Sequence, residues 1–225
     1  MASEIWRRLT YSRSLFGLLL LNLFWSASLF VAPMILAPGT FAYPYSQYPL
    51  VANHLGAANH LDYEPIWQTL WLYPRAVYTF GDVQCHQLWY RSFYINGNQM
   101  PMCERMVSMY LFANLGLVAA AFAKPASTAS QVMLNAMPGW IRGRLSRLRP
   151  ESAAGLLLFL FLLPTAIDGF TQLLTSYESD PIKRVLTGAF AGFIGGLLVG
   201  AMLVSMRHFL QELKSRVPVA QVPNP

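Results

Sequence analysis

Four apolar runs divide the chain, and each is long enough to cross a membrane as a helix. They lie at residues 15–37, 106–123, 153–174 and 185–206. About 20 residues, at a rise of about 1.5 Å each, cover the roughly 30 Å hydrocarbon core of a bilayer. The first run also exceeds the roughly 7 to 15 residues of a signal-peptide core, so we interpret it as a retained helix. The pattern predicts an all-α fold, an integral membrane bundle of four transmembrane helices.

The polar segments around these runs complete the predicted organisation. Residues 1–14 form a cytoplasmic N-terminus, residues 38–102 a long extracytoplasmic loop, residues 103–206 a three-helix membrane region and residues 207–225 a cytoplasmic tail. Within the loop, residues 65–73 are rich in Trp and Tyr. Because these side chains favour the headgroup level of a membrane, the segment predicts an interfacial helix.

Composition and charge agree with a bilayer as the partner and exclude nucleic acid. Hydrophobic residues make up 55% of the chain and charged residues only 12%. The net charge of +6 comes from Lys and Arg gathered at the ends of apolar runs, without interleaved aromatic residues. The N-terminus holds three of these basic residues, residues 124–152 five and the tail three, which makes eleven of the sixteen. The positive-inside rule therefore predicts a multi-pass protein of the cell membrane with both termini cytoplasmic.

The fourth apolar run is rich in glycine at helical spacing. Its glycines stand at positions 188, 192, 195, 196 and 200. A four-residue spacing of small residues lets two helix backbones approach closely in a membrane. We therefore expect this helix to pack against protein, and other membrane subunits are candidate partners.

The chain has only two cysteines, and both flank a predicted turn in the extracytoplasmic loop. Cys85 is followed by His86, and the sequence Asn96-Gly97-Asn98 is a turn signal that would return Cys103 toward Cys85. Two thiolates, an imidazole and the carboxylate of Asp168 suit zinc, and the thiolates with imidazole also suit copper. The predicted metal ligands are thus Cys85, His86, Cys103 and Asp168. A disulfide between the two cysteines in an oxidising compartment is one alternative, and unpaired cysteines that act in catalysis or simply pack in the fold are another.

Asp168 has a second interpretation that does not involve a metal. It lies within the third apolar run, four residues after Pro164, and shares one helix face with Thr171 and Gln172. An ionisable residue inside a membrane helix needs a partner, and Arg105 begins the second span at a similar depth. A buried Arg105–Asp168 pair is therefore an equal alternative to metal ligation.

The cysteines, Asp168 and several arginines lie in motifs whose order along the chain resembles that of a prokaryotic family. The family consists of small multi-pass membrane proteins and is known only as a domain of unknown function. The resemblance covers roughly residues 80–200. It implies a multi-helix membrane fold and a metal or polar site, with the supporting polar residues Gln87, Arg91, Arg105, Tyr110, Thr171, Gln172 and Arg184. The motifs are Cys85-His86-Gln87, Arg91-Ser92-Phe93, Cys103-x-Arg105, Asp168-Gly169-x-Thr171-Gln172 and Arg184-x-x-Thr187-Gly188.

The chain departs from that family's pattern after Arg105. Met106 stands where a further cysteine is expected, and Ser108 and Phe112 stand where glycines are expected. The loss of a thiolate removes a zinc ligand, whereas a methionine sulfur remains acceptable to reduced copper.

Two classes of function fit these patterns. The first is a binding or accessory membrane protein with a Cys/His/Asp site, holding metal or a disulfide, at the outer membrane face. The alternative is a metal-dependent membrane enzyme in which Asp168 or His86 acts as the base. Arg91, Arg105 or Arg184 would then hold the phosphate of a lipid-linked substrate. The sequence has no Gly-x-Ser-x-Gly, His-Glu-x-x-His or Cys-x-x-Cys motif, so we favour the first class.

Overall fold

The structure is a computed structural model that describes residues 2–41, 69–85 and 87–216. Helices dominate it, and one small antiparallel sheet precedes the second long helix. A 3₁₀ turn at Trp89–Arg91 leads into that sheet. The helices are α1 (Ala2–Leu9), α2 (Arg13–Ile35), α3 (Leu72–Gln84), α4 (Glu104–Phe122), α5 (Ala129–Ala136), α6 (Gly139–Leu145), α7 (Pro150–Leu174) and α8 (Pro181–Arg216), and the strands are β1 (Ser92–Ile95) and β2 (Asn98–Cys103).

Four helices are long and apolar enough to cross a membrane, and they coincide with the four predicted runs. These are α2, α4, α7 and α8. The predicted helical membrane fold is confirmed. The largest difference is at the end of α8, which continues to Arg216 instead of ending at Met206. Residues 207–216 contain neither proline nor glycine, so nothing in that polar segment breaks the helix.

The glycines of α8 pack against α4 of the same chain. A Cβ atom added at Gly188, Gly192 or Gly196 would collide with the backbone of α4. The glycine spacing therefore sets a close helix–helix contact, as predicted, but its partner is internal. Gly195 lies on another face, where an added Cβ would meet nothing within 4 Å. Contact with other subunits remains a prediction, and these three glycines are not free to provide it.

Helix α1 and the C-terminal part of α8 lie at one end of the bundle. The hydroxyl of Tyr11 lies 3.2 Å from Nδ1 of His208, and Arg8 donates to the carbonyl of Phe122 at 3.2 Å. We call this the terminal end, and the opposite end, which carries β1 and β2, the hairpin end. An even number of spans requires this arrangement. Which end faces the cytoplasm remains a prediction from charge.

The β1–β2 hairpin turns at the predicted Asn-Gly signal. Asn96 and Gly97 have φ values of 54° and 70°, and Ile95 pairs with Asn98 across the turn. Two left-handed residues in succession suit a two-residue hairpin because their twist matches that of the strands. The turn prediction is confirmed, although no strands were predicted around it.

Helix α3 corrects the prediction of an interfacial helix at residues 65–73. Residues 65–68 lie outside the described residues, residues 69–71 are not helical, and the helix begins at Leu72. Pro74 lies in its first turn, where proline fits because the backbone N–H it lacks would have no helical partner.

Candidate functional site

The two cysteines meet at the hairpin end. Cys85 directly follows α3, and Cys103 ends β2 and caps α4. The backbone N–H of Cys103 donates to Sγ of Cys85 at 3.2 Å. Both residues are buried, with exposures of 3% and 5%, and both are free thiols. The predicted approach of the two cysteines is confirmed.

Gln87 holds the chain between α3 and the hairpin in place. Its φ of 46° lies in the left-handed region, which a non-glycine residue adopts only when neighbouring contacts hold it there. Nε2 of Gln87 donates to the carbonyl of Pro101 at 2.6 Å, and Nε2 of Gln99 donates to the carbonyl of Gln87 at 2.6 Å. Gly81 of α3 packs so closely on Pro101 that a Cβ atom would collide with its backbone. These contacts fix Cys85 beside the strand that carries Cys103.

The two thiols differ in acidity. A hydrogen bond from the Cys85 thiol lowers the pKa of Cys103 to about 7, with help from the backbone N–H of Met106 and the charge of Arg105. The same hydrogen bond, together with burial, raises the pKa of Cys85. The Cys103 thiol is therefore the more acidic of the pair, and Cys85 is its hydrogen-bond donor.

Three methionines belong to or pack against the buried cluster that contains both thiols. Met100 and Met102 are fully buried in the same cluster as both cysteines, and Met106 packs against that cluster. We call these five residues the sulfur cluster. Sequence reasoning singled out Met106 but missed the other two. Their two-residue spacing on the segment that ends in Cys103 was the signal that could have identified them.

Asp168 pairs with Arg105 in the structure. The carboxylate accepts a hydrogen bond from the guanidinium, and the two side chains are 8% and 20% exposed. The structure thus shows the predicted ion pair between Arg105 and Asp168. Within residues 2–41, 69–85 and 87–216, no three His, Cys, Asp or Glu side chains lie close enough together to hold a metal. His86 lies outside the described residues, so the four-ligand set as a whole remains a prediction.

The other two predicted arginines are also engaged by carboxylates. Arg184 is almost fully buried and contacts Glu104 at 3.3 Å and Glu178 at 3.2 Å. Glu178 also pairs with Arg91, and Arg184 donates to the carbonyl of Tyr90 at 3.1 Å. This ion network joins α4, the 3₁₀ turn and α8. Sequence reasoning missed both glutamates, because Glu104 is the unspecified position of the Cys103-x-Arg105 motif and Glu178 lies outside the motifs.

The remaining predicted residues have local roles. Tyr110 donates to the side-chain oxygen of Gln84 and so links α4 to α3. Thr171 donates to the carbonyl of Ile167 in its own helix at 2.7 Å. The amide nitrogen of Gln172 is buried and has no hydrogen-bond partner in the described part of the chain.

The residues of this site fall within a region of known sequence similarity. The model of the family described as "Predicted membrane protein (DUF2085)" matches residues 85–199, which is 115 of the 225 residues. The chain belongs to this family. The match begins at Cys85 and runs through Asp168 and Arg184 into the glycines of α8, so it covers the site, the whole of α4 and α7, and the first part of α8.

Two archaeal proteins are similar to this chain over 118 and 108 residues, about as many as the family model matches. An uncharacterized protein of Methanocaldococcus jannaschii is 30% identical over 118 residues, which cover 52% of this chain and 62% of the relative. An uncharacterized protein of Methanothermobacter thermautotrophicus is 32% identical over 108 residues, which cover 48% of this chain and 77% of the relative. No solved structure matches the chain. The family match identifies a membrane protein.

Proposed function

We propose that this membrane protein binds one soft metal ion, Cu(I), through Cys85 and Cys103, and acts as a binding or accessory protein. The observation that carries the proposal is the sulfur cluster, in which two adjacent thiols share one buried cluster with Met100 and Met102, and the partly buried Met106 packs against that cluster. The distribution of positive charge predicts that the hairpin end, and with it the ion, faces outward.

The chemistry of these donors favours Cu(I) over zinc. Structural zinc sites in proteins take four nitrogen, sulfur or oxygen ligands. Among the described residues, Cys85 and Cys103 are in contact, but no three His, Cys, Asp or Glu side chains lie close enough together to hold a metal. Soft thiolate and thioether donors select Cu(I). The lowered pKa of Cys103 makes it the thiol that more readily supplies an anionic ligand, and Cys85 would lose its proton when the ion binds. Met100, Met102 and Met106 would exclude water around the ion and offer further sulfur.

The arginines give no support to the enzyme alternative. A phosphate-binding role requires guanidinium groups that are free to receive the phosphate oxygens. Arg91, Arg105 and Arg184 are each paired with a carboxylate of the same chain. To bind these arginines, a phosphate would have to displace the carboxylates with which they are paired.

Copper titration of the full-length chain tests the proposal. The protein is purified in detergent under reducing, oxygen-free conditions and titrated with Cu(I) against a competing chelator. We expect one ion per chain in the wild type and none in Cys85→Ser or Cys103→Ser. Met106→Leu should weaken binding, whereas Met133→Leu, in a separate buried cluster, should leave binding unchanged.

Two outcomes would contradict the proposal. One is wild-type binding no stronger than that of the double cysteine variant. The other is a Cys85–Cys103 disulfide in protein isolated without reductant that persists when cells are grown with added copper. That result would favour the structural disulfide instead.

A further inference from the structure

The segment between α4 and α7 is anchored to the terminal end of the bundle. Helix α5 buries Val132, Met133 and Leu134 in the main hydrophobic core. In α6, Ile141 and Leu145 stand four residues apart and pack against the same core. Because the segment joins the ends of two spans, it lies where the bundle meets the membrane–water boundary.

The opposite side of this segment is basic and exposed. Trp140 is 66% exposed, and the guanidinium of Arg144 lies 5.7 Å from its ring centre. All the other arginines of the segment are exposed as well. None of them has a carboxylate within 4.0 Å among the described residues. We call this set the basic surface, and its members are Trp140, Arg142, Arg144, Arg147 and Arg149.

We propose that the basic surface binds the anionic headgroups of phospholipids in the adjacent leaflet. Four unpaired guanidinium groups match phosphate oxygens in charge and in hydrogen-bond geometry. Trp140 stands among them, and tryptophan favours the headgroup level of a bilayer. The anchoring of Ile141 and Leu145 keeps these groups at the membrane boundary, which selects a lipid over a soluble polyanion as the occupant.

The expected strength follows from the number of arginines. Each basic residue beside an anionic membrane surface contributes roughly fivefold to association. Salt and imperfect geometry reduce the combined effect below the product of four such factors. We therefore expect the loss of all four charges to weaken binding of an anionic lipid at least about tenfold. Binding of a zwitterionic lipid should change little.

Native mass spectrometry of the full chain measures this directly. Dioleoyl phosphatidylglycerol or dioleoyl phosphatidylcholine is added to detergent-purified protein, and the affinity of the first bound lipid is read from the adducts. One variant replaces the four arginines of the basic surface with Gln, and a second replaces them with Lys. The control carries Arg75→Gln and Lys183→Gln, which remove two exposed charges near the hairpin end.

The expected result is selective for lipid charge and for position. The Gln variant should lose its preference for phosphatidylglycerol, the Lys variant should keep most of it, and the control should behave as the wild type. Equal affinity of the wild type for both lipids would overturn the proposal, and so would an equal loss in the control. If a single-stranded polyuridylate bound the wild type while phosphatidylglycerol did not, the surface would recognise nucleic acid and the proposal would be wrong. Circular dichroism of each variant checks that the helices remain folded.

Discussion

The buried pair of Arg105 and Asp168 leads to the sharpest prediction about stability. Replacing Asp168 with Asn removes the charge but keeps the shape of the side chain, and it leaves a guanidinium without its partner. Removing one member of a buried ion pair costs about 3 to 5 kcal/mol. Because the Arg105 side chain is 20% exposed, water partly screens the orphaned charge, and we expect a loss of about 2 to 4 kcal/mol.

That loss corresponds to a fall in melting temperature of roughly 5 to 15 °C for a chain of this size. Thermal unfolding followed by intrinsic fluorescence in a mild detergent measures it. The matched control is Asp180→Asn, which breaks the exposed pair of Asp180 and Lys183 and should change the melting temperature little.

A double variant separates the charge effect from general damage. If the cost comes from an orphaned charge, replacing both Arg105 and Asp168 with Leu should restore much of the stability, because two apolar groups leave no buried charge. If Asp168→Asn had the same melting temperature as the wild type, the ion pair would not stabilise the protein as we expect. A double Leu variant less stable than Asp168→Asn would also contradict this prediction.

Three further predictions follow from the packing and from the thiols. Gly192→Leu should disrupt the contact of α8 with α4 and lower the melting temperature, whereas Gly195→Ala, which faces open space, should be tolerated. Thiolate absorbance should rise with a midpoint near pH 7 in the wild type and lose that step in Cys103→Ser. Cys85→Ala should move the midpoint to higher pH because the hydrogen bond that stabilises the thiolate is lost; an unchanged midpoint would count against that hydrogen bond. Gly97→Val should destabilise the hairpin, since a β-branched residue is strained at a φ of 70°, and hydrogen exchange at β1 and β2 measures this.

The membrane spans were predictable because they depend on local composition. A run of about 20 apolar residues identifies a span whatever its neighbours are. The Asn-Gly turn was predictable for the same reason, since left-handed backbone at residues 96 and 97 is a local preference. The approach of Cys103 to Cys85 then followed from that turn.

The strands were not predictable from the pattern of residues. All six residues of β2 are buried, so polar and apolar positions do not alternate along it. Pro101 lies within it, which is unusual for a strand, and the close contact with Gly81 of α3 depends on the tertiary fold.

The partners of long-range contacts were equally hidden. Glycine spacing in α8 indicates a close helix contact, but the same spacing suits a helix of this chain or of another. The pairing of Arg184 with Glu104 joins residues 80 positions apart, and no local signal identifies such a pair. For Asp168, the sequence allowed two partners, and only the relative position of α4 and α7 selects Arg105.

X-ray absorption at the copper edge measures whether Cys85 and Cys103 hold a soft metal ion. The sample is the full-length protein in detergent, loaded with one equivalent of Cu(I). We expect a first coordination shell made of sulfur, which Cys85→Ser and Cys103→Ser each abolish or convert to oxygen ligands. A nitrogen or oxygen shell in the wild type, or a spectrum that neither substitution alters, would contradict it.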